Sequence, residues 1–159
     1  MNDYGAQVRR AGPEDADVLA RLLDDFNTEF GSPTPGTAVL AHRLRRLLAT
    51  EQTRAWLVAE QASGRQAGLA LVTRRPNVWC DGPVDLLDEL YVAPAQRSSG
   101  LGSLLIQAVL DDARAGGADL VEVPVDAPDV DARRFYRRHG FQEIDPDTGD
   151  LALLIWQEL

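Results

Sequence analysis

The chain has 159 residues, of which 45% are hydrophobic and 26% are charged, as is typical of one soluble globular domain. Its 16 basic residues are all arginines, and 25 acidic residues bring the net charge to −9. This balance argues against nucleic-acid and anionic-membrane partners, because both require a basic face. The single cysteine, Cys80, excludes an internal disulfide and any multi-cysteine metal site.

No apolar run reaches the length of about 18 residues needed to span a bilayer, and no charged-then-apolar leader is visible at the start. We therefore expect a cytoplasmic protein without a membrane partner, folded as one domain over residues 1–159. With only two histidines and one cysteine, we expect no metal site.

The first half of the chain predicts a strand, two helices and a hairpin. Apolar residues at helical spacing mark both helices, and loops rich in proline and glycine separate the elements. In chain order we expect a strand at 7–11, a helix from Pro13 that Gly31 ends, an amphipathic helix ending near Leu48, and hairpin strands at 55–60 and 67–73.

The second half predicts a long acidic strand followed by alternating helices and strands. We expect strands at 85–92, 120–125, 141–144 and 151–157, and helices at 100–115 and 130–138. The predicted order is β-α-α-β-β-β-α-β-α-β-β, which indicates a mixed α/β (α+β) domain.

The most informative segment runs from Leu90 to Gly102 and places a strand, a glycine-bearing loop and a helix start in succession. Backbone N–H groups at a helix start form an anion site, and glycine permits close approach of a phosphate. A dinucleotide-binding loop would need a third glycine where Leu105 stands, so that interpretation fails. A plain strand-to-helix turn is the simpler alternative.

Two segments of the chain carry spaced motifs. Arg97, Gly100 and Gly102 match the pattern Gln/Arg-x-x-Gly-x-Gly/Ala. Downstream, Asp129, Ala132, Tyr136, Gly140 and Phe141 follow Asn-x-x-Ala-x-x-x-Tyr-x-x-x-Gly-Phe, with Asp129 replacing the asparagine. These motifs resemble those of the GNAT superfamily of N-acetyltransferases. The resemblance implies a mostly antiparallel central sheet of six to seven strands flanked by about four helices.

The resemblance also implies acetyl-CoA as co-substrate. Its pantetheine arm would bond the strand backbone in the manner of an added strand. The implied cofactor-binding residues are Leu90, Tyr91 and Val92 for pantetheine, Arg97, Ser98, Ser99, Gly100, Leu101, Gly102 and Ser103 for pyrophosphate, and also Tyr136.

Four positions near these motifs carry separate expectations. Ser98 stands where the family often has glycine, so it either restricts the loop or donates its hydroxyl to pyrophosphate. We expect Asp129 to cap its helix rather than contact the cofactor. Arg133 and Arg134 either reach the adenosine phosphates or remain solvated on the helix face.

Direct acetyl transfer to a primary amine requires a base for the amine and an acid for the departing thiol. By resemblance, Tyr136 is the acid, with core packing as the alternative. For the base, Glu89 stands first, Asp88 second and Glu122 third, and a water relayed through such an acid is also open. Alternation places Leu87, Glu89 and Tyr91 on one face, although a bulge in this strand would break that pattern.

Acidic and aromatic side chains in the acceptor half of the chain favour a cationic acceptor. They are Asp24, Asp25, Glu29, Glu51, Trp79 and Asp81, although a solvated helix face is the better explanation for the three acids of the first helix. We therefore expect acetylation of a small cationic amine or aminoglycoside-like molecule.

Two other functions remain open, namely acetylation of a protein N-terminus or lysine, and non-catalytic binding of acyl-CoA. The apolar last strand, which includes Leu153, Leu154 and Trp156, further predicts a homodimer, formed through this strand or through the early helices.

Overall fold

The computed structural model describes residues 6–151, 155 and 157. They divide into two compact units, the first ending at Glu122 and the second beginning at Val123. None of the helices in these residues combines the length and apolar character that crossing a bilayer requires.

The first unit contains one five-stranded sheet and three helices. The strands lie in the spatial order β1-β2-β3-β4-β5, antiparallel from β1 to β4, with β5 parallel to β4. The strands are β1 (Val8–Ala11), β2 (Thr53–Ala59), β3 (Gln66–Arg75), β4 (Val84–Val92) and β5 (Leu120–Glu122), and the helices are α1 (Ala16–Glu29), α2 (Thr37–Leu47) and α3 (Leu101–Ala115).

Helices cover both faces of this sheet. The helices α1 and α2 pack their leucine and alanine stripes on one face, where Leu57, Leu69 and Tyr91 are buried beneath them. On the other face, α3 buries Leu105, Ile106 and Val109 among its apolar side chains. This layering confirms the predicted α/β class with a mostly antiparallel sheet, and a fourth helix lies in the second unit.

The second unit contains α4 (Val130–Arg138). Its N-cap is Asp129, whose Oδ1 accepts a hydrogen bond from the Ala132 N–H at 2.9 Å, so the expected capping role is confirmed.

The expectation of six to seven strands is wrong for the described residues, which form five. The predicted strand at 141–144 is reduced to one bridge between Ile144 and Leu151. In this segment Glu143 lies against α4 instead, where it accepts a hydrogen bond from Arg133 at 2.6 Å. Likewise β5 stops at Glu122 rather than at residue 125, because Pro124 has no N–H to donate to a ladder.

Residues 152–154 and 156 of the predicted last strand lie outside the described residues. The homodimer, which was predicted from that strand, stays a prediction.

Candidate active site

A β-bulge in β4 decides where the acidic side chains lie. Leu71 of β3 pairs with Glu89, but the next residue, Val72, pairs with Leu87, which leaves Asp88 as the extra residue. Directly opposed residues on neighbouring strands share a face. Glu89 therefore lies on the face covered by α1 and α2.

The bulge corrects the expected alternation of side chains along β4. Glu89 and Tyr91 share a face as predicted, but Leu87 shares the α3 face with its partner Val72. The Thr73 hydroxyl donates to Asp88 Oδ2 at 2.6 Å, which brings the Asp88 carboxylate to the Thr73 side of the sheet. Two consecutive carboxylates thus share one face, as the inserted residue of a bulge permits.

Glu89 is a half-buried carboxyl whose pKa is raised. Burial raises its pKa to about 7, and the neighbouring charge of Asp88 adds to the increase. Burial also raises the pKa of Asp88, while the hydrogen bond from Thr73 acts in the opposite direction. A carboxyl that titrates near neutral pH can accept a proton from an amine.

Glu122, the third carboxylate proposed as a base, is an ion-pair partner. It lies opposite Leu86 on the parallel strand β5. The Arg75 guanidinium donates to its Oε2 at 2.8 Å. Because Leu86 precedes Glu89 by three residues, the backbone positions of the two acids differ by roughly 10 Å along the strand.

The second half of β4 has an open backbone edge. Pairing with β5 covers only Val84 to Leu86, whereas β4 continues to Val92. Among the described residues, no strand pairs with this edge at Leu90, Tyr91 or Val92. An unpaired edge presents N–H and C=O groups to which an extended ligand can bond.

The loop after β4 presents backbone N–H groups at the start of α3. Gly100 adopts a left-handed φ of 88° as the N-cap, and Ser98 also has a positive φ, 64°. The N–H groups of Ser98, Ser99 and Gly100 donate to no other described residue, and the first amides of an α-helix have no intrahelical acceptor. The residues present therefore fit a pyrophosphate.

Arg97 differs from the other residues of this loop because both its side chain and its N–H have partners. Its guanidinium binds both carboxylate oxygens of Glu29, at 2.6 and 2.7 Å, and its Nε donates to the Val92 carbonyl at 3.0 Å. Its N–H donates to Pro94. The sequence predicted Arg97 as a phosphate ligand, but the free amides begin at Ser98.

Tyr136, the predicted acid, lies on α4 of the second unit, half-buried between Phe135 and Phe141. The ring centroids are 5.3 and 5.4 Å away. In the same unit Arg133 pairs with Glu143, and Arg134 lies 3.4 Å from Asp131.

Two of the acidic residues predicted to attract a cationic acceptor have hydrogen-bond partners within the chain. Asp24 accepts from the Thr34 hydroxyl at 2.7 Å and Glu29 binds Arg97. Trp79 is 91% exposed, next to an open groove of about 380 Å³ that Arg75, Asn77, Cys80 and Asp81 help to line. No group of three or more metal-ligating side chains occurs within the described part of the chain.

Two hydrogen-bond partners in the site could not be predicted from the sequence, namely Thr73, which binds Asp88, and Glu29, which binds Arg97. No motif marks either residue. Only alignment of β3 with β4 across a bulge would have indicated Thr73.

The chain belongs to the Acetyltransferase (GNAT) family, whose model matches residues 19–141. The fold and the open loop before α3 agree with this assignment. It is 46% identical to a protein from Arthrobacter sp. FB24 that is provisionally named an acetyltransferase. The two structures superpose with a TM-score of 0.88, covering 100% of this chain and 98% of the other.

Two curated relatives are more distant. The L-methionine sulfoximine/L-methionine sulfone acetyltransferase of Pseudomonas aeruginosa is 31% identical over 86% of this chain and 80% of its own length. The aminoalkylphosphonate N-acetyltransferase of Salmonella typhimurium is 37% identical over 36% of this chain and only 37% of its own length.

An aminoglycoside acetyltransferase, meta-AAC0020, from an uncultured soil metagenomic sample shares the fold. The identity is 18% and the TM-score is 0.80, and the match covers 100% of this chain and 99% of that one.

Proposed function

We propose that this chain is an acetyl-CoA-dependent N-acetyltransferase that moves an acetyl group directly to the primary amine of a small molecule. One observation carries the proposal. On β4, a half-buried Glu89 with a pKa of about 7 precedes an unpaired strand edge and a loop of free amides. A proton acceptor and two backbone sites for an extended, phosphorylated ligand thus lie on one continuous segment.

Two parts of the chain would hold acetyl-CoA. The edge of β4 at Leu90, Tyr91 and Val92 would bond pantetheine, and the amides from Ser98 to Ser103 would bond pyrophosphate. When bound, acetyl-CoA supplies a thioester carbonyl, at which a C–N bond forms as the C–S bond breaks. The free amides and the positive end of α3 explain how a chain of net charge −9 would bind an anionic ligand, since distant surface charges are screened over about 8–10 Å.

Glu89 would remove the proton that the acceptor nitrogen loses, because an amine attacks only when its lone pair is free. Glu122 is a weaker choice, since Arg75 neutralises it. Tyr136 would return a proton to the departing sulfur, as its place in the second motif implies.

The acceptor would be a small cationic amine or an aminoglycoside-like molecule. The family relatives named for small acceptors, an aminoalkylphosphonate and L-methionine sulfoximine, support a small molecule over a protein. The exposed Trp79 ring and the acids Asp88 and Glu89 would attract a cation.

The test is release of free CoA thiol from acetyl-CoA with a panel of amines. We would use 2-aminoethylphosphonate, L-methionine sulfoximine, spermidine, sisomicin and a peptide with a free N-terminal alanine. We expect turnover with one of the four small amines, abolished by Glu89→Gln. Turnover of the peptide alone would contradict the substrate class, and acetyl-CoA binding without thiol release from any amine would contradict the catalytic function.

A further inference from the structure

The bulge of β4 creates a pair of carboxylates that sequence alternation would have separated. Asp88 is the unmatched residue, and Glu89, which follows it, is opposite Leu71. The hydrogen bond from the Thr73 hydroxyl to Asp88 Oδ2, 2.6 Å long, holds the Asp88 carboxylate on one side of the sheet. Thr73 itself pairs with Leu86, so its hydroxyl reaches along β4 toward the bulge.

The hydroxyl has a specific chemical effect on Asp88. An O–H donor stabilises a carboxylate in its ionised form more than in its protonated form. Asp88 therefore keeps its negative charge more readily than burial alone would permit. A fixed negative charge on the neighbouring residue in turn makes it easier for Glu89 to hold a proton.

We propose that Thr73 and Asp88 are positioning residues for the base Glu89: Thr73 keeps Asp88 ionised beside Glu89, and that charge strengthens Glu89 as a proton acceptor. The proposal rests on the proposed function, in which Glu89 accepts the proton of the acceptor amine. The proton leaves the nitrogen and joins a Glu89 carboxylate oxygen, so the charge of the pair changes from −2 to −1.

The surroundings of Glu89 leave Asp88 as its dominant charged neighbour. Its partner on β3, Leu71, carries no charge. On β5, Glu122 is paired with Arg75. On α1, Asp25 and Glu29 act on Tyr91, and Glu29 is paired with Arg97.

The direct measurement is the pH titration of the Glu89 side-chain carboxyl carbon by ¹³C NMR of the full chain, with the resonance assigned through its loss in Glu89→Gln. In the wild type we expect a midpoint near the pKa of about 7. Asp88→Asn removes the neighbouring charge and should lower the midpoint by about half a unit or more. Thr73→Val removes the hydroxyl but keeps the backbone hydrogen bond of residue 73 to Asp88, so it should lower the midpoint in the same direction by a smaller amount, and Thr73→Ser should restore the midpoint.

Thr53→Val is the matched control. Thr53 is a buried threonine directly opposite Thr73 on β2, whereas the hydroxyl that binds Asp88 is that of Thr73. This variant should keep the wild-type midpoint. An equal shift in Thr53→Val, an unchanged midpoint in Thr73→Val and Asp88→Asn, or a wild-type midpoint at the ordinary glutamate value would each overturn the proposal.

A second measurement separates this inference from the proposed function. With the best amine of the panel, the acidic limb of the kcat/KM profile should move to lower pH in Thr73→Val and in Asp88→Asn, in each case by as much as the NMR midpoint of that variant moves. If the NMR midpoints shift but the acidic limb does not, the positioning role is overturned. Thr73 and Asp88 would then change the pKa of Glu89 without affecting the reaction. Absence of turnover by the wild type, with the midpoints shifted as expected, would refute the proposed function instead.

Discussion

Arg97 and Glu29 form a bidentate ion pair that joins the loop after β4 to the last residue of α1. The guanidinium also lies 5.8 Å from the Tyr91 ring centroid, and that ring stacks on Phe26 of α1 at 5.2 Å. The position predicted from sequence to contact phosphate therefore also connects two secondary-structure elements.

The first prediction concerns the stability of this connection. Because both side chains are partly exposed, a double-mutant cycle of Arg97→Ala and Glu29→Gln in urea unfolding should give a coupling of about 0.5–1 kcal/mol. Arg97→Ala should cost more than Glu29→Gln, since it also loses the bond to Val92. The exposed pair of Asp17 and Arg45 serves as control and should show no measurable coupling.

The second prediction concerns the backbone of the phosphate loop. Gly100→Val should weaken acetyl-CoA binding by about tenfold or more in calorimetry, because valine strongly disfavours the left-handed φ that orients the amides. Gly64 also has a positive φ and open space around it, but it lies in the hairpin between β2 and β3. Gly64→Val should carry a similar strain and leave the affinity unchanged; equal affinities in both variants would argue against the loop as the pyrophosphate site.

The third prediction concerns the proposed acid. Tyr136→Phe should lower kcat at least about tenfold, since general acid catalysis is worth roughly 10²–10⁴-fold. The affinity for acetyl-CoA should change little, because the phenyl ring remains. Full kcat in this variant, with a substrate that the wild type turns over well, would show that the sulfur is protonated by another group.

The fourth prediction concerns the buried charges beneath α3. Asp85 is fully buried and ion-paired with Arg54 and Arg74 at 2.6 and 2.7 Å. Burial disfavours its ionised form, but the two arginines outweigh this effect and lower its pKa. Asp85→Asn leaves buried Arg54 without this counter-charge and should lower the free energy of unfolding by about 3–5 kcal/mol, whereas Asp17→Asn at an exposed pair should cost less than about 1 kcal/mol.

The fifth prediction follows from the raised pKa of Glu89. The folded state holds this proton more tightly than the unfolded chain, so the stabilisation is complete below pH 4.5 and is lost as the pH rises to about 7. Urea unfolding at several pH values should therefore show that the free energy of unfolding declines across this interval. The decline should be smaller in Glu89→Gln. Parallel curves for the two proteins would mean that Glu89 titrates alike in both states.

Much of the fold could be predicted from local patterns. The leucine stripes of α1 and α2, the Gly100 start of α3 and the Asp129 cap of α4 were all visible because they depend on neighbours within a few residues. The prediction of a strand at 141–144 was wrong because this segment depends on a residue outside its own local pattern. Its apolar ends favour a strand, but Glu143 finds its partner on α4, and pairing between elements cannot be seen in a local pattern.

The sequence by itself determined the family motifs, the acidic character of β4 and the loop that begins α3, since each is a property of contiguous residues. Only the tertiary structure decided which groups remain available in that segment. The register between β3 and β4 places the bulge at Asp88 and so brings Asp88 and Glu89 to one face. Likewise, the packing of α1 gives Arg97 a carboxylate partner, because the charge that surrounds a side chain is set by residues distant in sequence and close in space.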